Sequence, residues 1–209
     1  MKQYNCDFSP LKEQLKKELE AISIEIKIGL NTLDNDNFCL LGGLATIKEQ
    51  FEKAEAVAAS FYLNCYLSPF TDMYLDISSA IQHLSNQRHG ALIVIERENR
   101  LDSMIRPGTP IGAKLTHSLL ESIFYPGNPL HDGAVLVRSN QIFSAANVLP
   151  LSGIFVGDKK LGTRHRAAIG LSEKSDALII VVSEETGRVS FAIDGELHPI
   201  VTTSSLIVN

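Results

Sequence analysis

The chain has 209 residues, 44% of them hydrophobic, and a formal net charge of −5. That suits one moderate domain with a smaller appendage, and it excludes nucleic-acid binding driven by overall charge. No apolar run approaches the ~18–20 residues that span a bilayer, and no signal-like segment follows Met1. The expectation is a cytoplasmic protein with neither membrane nor nucleic acid as partner.

Residues 9 to 66 read as two helices. Ser9-Pro10 fits an N-cap followed by proline at the first helical position. Leu11, Leu15, Leu19, Ile22 and Ile26 then recur at helical steps, and Ile24 and Ile28 widen the apolar face. Asn31 to Asn37 is turn chemistry. The second helix carries Leu44, Ile47, Phe51, Ala54, Ala58, Phe61 and Cys65 at alternating steps of 3 and 4, the seam of a coiled pair. A short connection implies an antiparallel hairpin. Two helices alone bury little surface, so the hairpin is expected to dock on the main domain or on another copy of itself. Cys6, Cys39 and Cys65 match no metal-binding spacing and read as buried small residues or free thiols in a reducing compartment.

From about residue 67 the grammar changes. Met73 to Leu84 suggests a helix, and Gly90 to Arg97 a buried strand. Ile111 to Phe124 reads as helix-like, stopped by Tyr125-Pro126-Gly127-Asn128-Pro129. Ala134–Arg138 and Ile142–Ala146 flank a turn and suggest a hairpin. Arg166 to Leu171 looks helical, Ala177 to Val182 is a second buried strand, and Glu184 to Gly187 turns into Val189–Ile193. The expected fold is α/β: a mixed central β-sheet flanked by helices over 67–209, preceded by an N-terminal α-helical hairpin over 1–66.

Three short stretches carry chemistry. In His131-Asp132-Gly133-Ala134 a carboxylate sits at the mouth of a strand, where it can hold a divalent cation with His131 as a second ligand. Gly133 would let a ligand approach the backbone closely. In Leu161-Gly162-Thr163-Arg164-His165-Arg166 two guanidinium groups flank an imidazole at a helix start, which offers free N–H groups and the positive dipole end to phosphate. Lys159 and Lys160 add to this basic cluster. Ser183-Glu184-Glu185 closes a buried strand. The pairing of carboxylate and basic cluster suggests a nucleotide triphosphate site. Gly108 to Lys114 is no P-loop, because its spacing is wrong and Pro110 removes a needed N–H.

These stretches, with Gly90-Ala91-Leu92-Ile93-Val94, Leu149-Pro150-Leu151-Ser152 and Ile169-Gly170-Leu171-Ser172-Glu173, resemble the diadenylate cyclases, whose hallmark motifs are DGA and RHR. Within that family the chain is similar to the soluble, spore-associated type of bacilli, which has a short helical N-terminal extension. The resemblance implies that two ATP molecules become cyclic di-AMP and two pyrophosphates, with Mg2+ or Mn2+. Asp132, Arg164 and His165 would be catalytic. Gly133, Ala134, Leu149, Thr163, Arg164, His165, Arg166, Ser183 and Glu185 would bind ATP, and Asp132 and His131 the metal. Arg166 could instead turn inward and brace its loop. One site holds one ATP, so two sites must face each other across a two-fold axis, within a hexamer or other higher homo-oligomer. The competing readings are a catalytically silent nucleotide-binding regulator of the same fold, a His-Asp metal phosphohydrolase, and a helical scaffold built on residues 9–66.

Overall fold

The computed structural model describes residues 9–33, 40–153 and 161–200. Contacts divide the chain into two compact units, residues 1–63 and 64–209.

The first unit holds α1 (Ser9–Asn31) and most of α2 (Leu40–Leu67). Where the two helices approach, Ile26, Leu30, Leu33, Leu40, Leu44 and Ile47 line an apolar cavity of about 180 Å³. Only part of the expected seam is covered. Ala54 and Cys65 are buried, whereas Leu44 and Phe51 are about half exposed, at 51% and 58%. The turn over 34–39, and with it Cys39, lies outside the described residues, as does Cys6. Cys65 is disulfide-bonded. The expectation of free thiols therefore fails for it, since spacing along the chain carries no information on which thiols meet in space.

The second unit contains α3 (Tyr74–Gln87), β1 (Ala91–Ile95), β2 (Thr109–Lys114), α4 (His117–Ile123), β3 (Ala134–Arg138) and β4 (Gln141–Asn147). It continues with α5 (Thr163–Ser172), β5 (Leu178–Val182), β6 (Val189–Ile193) and β7 (Glu196–Ile200). One seven-stranded sheet runs in the order β2-β4-β3-β1-β5-β6-β7. β1 and β3 are parallel and every other pair is antiparallel.

β1 and β5 are buried along their whole length, which explains why they read as unbroken apolar runs rather than alternating ones. Leu92, Val94, Ile179, Val181 and Ala192 form one face of the sheet and share a core with Ala167, Ala168 and Leu171 of α5. α3 buries Ile77, Ala80, Ile81 and Leu84 and packs on α4 and β5. The architecture is thus the expected mixed sheet with covering helices.

Two elements differ from the sequence reading. The stretch 111–124 is not one helix: residues up to Lys114 form edge strand β2, and α4 begins at His117 behind an N-cap, Thr116, whose hydroxyl accepts from the Leu119 N–H at 3.2 Å. Pro110 has no N–H and Gly112 takes φ +65°, so the strand is bulged and tolerable only at an edge. β7 was unmarked in the sequence because, as an edge strand with Glu196 and Pro199 exposed, it lacks an apolar run.

Candidate active site

Sheet direction gathers the motifs at one end. The starts of β1, β2, β3 and β6 and the ends of β4 and β5 all lie there. In the parallel pair, Ile93 stands beside Val135. Gly90 precedes β1 by one residue and Asp132 precedes β3 by two, so both lie at this end of the sheet. The antiparallel partner of Ala91 is Val182, so Ser183 flanks Gly90 on the other side.

Arg164 reaches the same point from α5. A Cβ built on Gly90 would lie 2.6 Å from its Nη1 and 2.9 Å from Glu184 Oε2, so the guanidinium and its counter-ion occupy the space that any side chain at 90 would take. Arg164 Nη1 donates to Glu184 Oε2 at 2.6 Å. Asp132 and Arg164 are therefore gathered at one end of the sheet although 32 residues separate them in the chain.

Gly162 is extended (φ −62°, ψ 160°) with no capping side chain, and the first helical bond is Arg166 N–H to Gly162 C=O at 3.1 Å. The N–H groups of Thr163, Arg164 and His165 are left for a ligand. These residues, with Ser183, Glu184 and Glu185, wall a cavity of about 500 Å³. Burial pushes the His165 imidazole below its ordinary range, against the pull of the nearby Glu185 carboxylate. It is neutral at pH 7, and a phosphate arriving beside it would favour its protonated form.

Asp132 is exposed and has no hydrogen bond or ion pair among the described residues. His131 Nδ1 lies 2.5 Å from the Asn128 carbonyl. A carbonyl only accepts, so Nδ1 carries a proton, and in the neutral ring the lone pair is on Nε2, the tautomer that suits metal ligation. No three His, Cys, Asp or Glu side chains among the described residues cluster as a metal site. Asp132 and His131 would supply two donors, leaving the remainder to phosphate oxygens and water. That donor set fits Mg2+ or Mn2+.

The DGA turn is built on β4. Gly133 takes φ +119°, and a Cβ there would lie 2.8 Å from the Ala146 carbonyl carbon. Asn147, 1% exposed, donates to the Ala134 carbonyl at 2.8 Å and accepts from the Gly108 N–H at 3.0 Å and the Ser144 hydroxyl at 2.9 Å. No motif marked Asn147, and Gly90 and Glu184 lay within named stretches without being assigned these partners. Their roles depend on strand neighbours distant in sequence.

Two of the candidate residues face elsewhere. Arg166 Nη2 donates to the Ser152 carbonyl at 3.2 Å, and the Ser152 N–H to the Arg166 carbonyl at 3.0 Å, so Arg166 ties segment 150–152 to α5. The Leu149 side chain belongs to the core at 6% exposure, while the neighbouring Val148 is 59% exposed. Packing of the Leu149 side chain on a base does not agree with this burial, and Val148 presents the free apolar surface there. His131, Asp132, Gly133 and Ala134 are not walls of the 500 Å³ cavity but lie at the same end of the sheet, where β3 begins. Lys159 and Lys160 lie outside the described residues.

A strand-end cavity walled by a basic helix start, at the same end of the sheet as an exposed carboxylate, has the form of a nucleotide-binding α/β protein. Comparison with known proteins makes this specific. A family profile described as DisA bacterial checkpoint controller nucleotide-binding matches residues 78–197, and one described as diadenylate cyclase CdaS, N-terminal, matches residues 2–70. The chain is 55% identical to a diadenylate cyclase CdaS of Bacillus thuringiensis, over 91% of this chain and 94% of that one. It is 49% identical to the cyclic di-AMP synthase CdaS of Bacillus subtilis, over 91% and 92%. A Bacillus cereus crystal structure described as a hypothetical membrane spanning protein superposes with a TM-score of 0.76 at 54% identity, over 92% and 94%. No described helix of the present chain is long and apolar enough to cross a membrane. The chain belongs to the diadenylate cyclase family of nucleotidyltransferases.

Proposed function

We propose that this chain condenses two ATP into cyclic di-AMP and two pyrophosphates. The 3′-hydroxyl of each ATP attacks the α-phosphorus of the other. A P–O3′ bond forms, the bond from the α-phosphorus to the bridging oxygen breaks, and pyrophosphate leaves with the electron pair. Catalysis of this kind is positioning and charge neutralisation. Arg164, Thr163 and the free N–H groups of α5 hold the triphosphate, with Ser183 and Glu185 on the facing wall. Asp132 stands where the attacking hydroxyl loses its proton. Asp132 and His131 Nε2 would hold a divalent cation, which when bound lowers the cost of charge on phosphate and hydroxyl oxygens. The observation that supports this reading is the seat of Arg164 on Gly90, at the end of the sheet where Asp132 leads into β3.

One subunit presents one such site, so catalysis requires two subunits face to face about a two-fold axis. The first unit is suited to assembling copies: Ile24, Leu30, Leu41 and Phe51 are 58–78% exposed on helices that leave an apolar cavity between them. Removing residues 1–66 should lower the native mass and change turnover, and the same mass with the same turnover rejects this role. The demand for ATP places the protein in the cytoplasm.

The test of the main reading is incubation of the purified chain with ATP and Mn2+ or Mg2+, followed by chromatography. Cyclic di-AMP with two equivalents of pyrophosphate is expected. Release of ADP or AMP instead would indicate a phosphohydrolase, and binding without turnover a regulator.

A further inference from the structure

We propose that Arg188 is a further phosphate-binding residue, taking the terminal phosphate of ATP and then the pyrophosphate it becomes. This rests on the cyclase reading. Arg188 walls the same 500 Å³ cavity as Thr163, Arg164 and Ser183. Most other arginines of the second unit are engaged: Arg164 with Glu184, Arg166 with Ser152, Arg138 with Glu96 and Asp102, and Arg97 with the Asp176 carbonyl. The Arg188 guanidinium has no hydrogen bond or ion pair among the described residues. Arg88 and Arg106 are also without one, but neither walls this cavity.

Its origin is fixed by the backbone. The Arg188 carbonyl accepts from Ser183 N–H at 2.9 Å, and its own N–H donates to Thr186 Oγ1 at 3.2 Å. Gly187 takes φ +72°, and a Cβ there would strike the Ser85 carbonyl at 2.6 Å, so the turn is locked on α3. Side chains alternate along a strand, and Ser190, two residues on, walls the cavity too. Arg188 thus leaves the sheet toward the ligand space.

Position along the sheet assigns the phosphate. From Asp132 the order is β3, β1, β5, β6, so Arg188 stands three strand spacings away, roughly 14 Å. A triphosphate with its reacting phosphorus at Asp132 runs past Arg164 and Ser183 and ends toward Arg188. The guanidinium fork suits a terminal phosphate or free pyrophosphate.

The test compares full-length wild type with Arg188→Gln and Arg188→Lys, by calorimetric binding of inorganic pyrophosphate and by kcat and KM for ATP. For Arg188→Gln, pyrophosphate affinity should fall about tenfold and KM should rise by a similar factor, with kcat within about twofold. Arg188→Lys should recover part of both, and the unliganded Tm should not move. Unchanged pyrophosphate affinity in Arg188→Gln overturns the proposal. A wild type that binds pyrophosphate but makes no cyclic di-AMP would sink the cyclase reading alone, and the binding comparison would still decide the role of Arg188.

Discussion

The two ends of β1, β3 and β5 handle charge in opposite ways. At one end Arg138 Nε pairs with Glu96 at 2.8 Å and Nη2 with Asp102 at 2.5 Å, while its guanidinium lies 3.7 Å from the Phe143 ring centroid. Glu96 also accepts the Leu101 N–H at 3.1 Å, and Asp176 accepts those of Glu98 and Asn99. The hydrogen bond from Arg138 holds the Asp102 carboxyl below its ordinary range. Every charge named there has its partner inside the fold. At the other end, among the described residues, Asp132 and Arg188 have none, three helix N–H groups are free, and Arg164 has a single carboxylate. One end is complete without a ligand. The other leaves these groups open to a ligand.

This contrast predicts which substitutions cost activity and which cost stability. The largest effect is expected for Asp132→Asn, with a fall of about 10³-fold or more in kcat/KM and no change in Tm, because the carboxylate supports nothing in the free protein. Steady-state turnover beside a thermal melt checks both. A parallel drop in Tm would show that Asp132 is structural and that the two ends are not distinct in kind.

Gly90→Ala is the next largest. The new methyl would lie 2.6 Å from Arg164 Nη1 and displace it, costing about 10²-fold in kcat. Gly90 does not have a positive φ, so the backbone accepts alanine and Tm should change little. Retained activity would mean that the seat of Arg164 is not used in catalysis. At the closed end the pattern reverses: Arg138→Ala leaves Glu96, 7% exposed, without its main partner and should cost about 2 kcal/mol of stability. KM for ATP, measured where the variant is still folded, should not move.

The same contrast explains what could be read from the sequence. Buried strands β1 and β5 and the helix start at Thr163 were legible because continuous apolar runs and an arginine pair after Gly-Thr have few physical explanations. β2 was misread because Ile111, Leu115 and Leu119 mimic a helical stripe, and only pairing with β4 decides for a strand. Asn147 was illegible, and the partners of Gly90 and Glu184 could not be read from the stretches that hold them, for a related reason. A buried asparagine bonding Ala134 and Gly108, or a glycine beneath a guanidinium, is defined by strands that meet only in the folded sheet. The motifs show which groups react; the groups that aim them carry no local pattern.

The smallest effect expected is a proton linkage at His165. Its folded-state pKa lies below the ordinary 6.5, chiefly because burial disfavours the charged ring. A depressed folded value means that the unfolded chain binds the proton first. The stability contribution is therefore complete above about pH 6.5 and is lost as pH falls through the folded value. Wild type should lose Tm relative to His165→Gln over that acidic range, and the two should run parallel above it. Bound triphosphate reverses the sign of the local field, because an anion beside the ring favours imidazolium. The Tm gain from ATP should thus grow as pH drops below 6.5 in wild type more than in His165→Gln, which corrects for protonation of ATP itself. Identical ATP-induced shifts in both proteins at every pH would mean that the imidazole does not sense the phosphates, and would leave the open end to the guanidinium groups and backbone N–H groups alone.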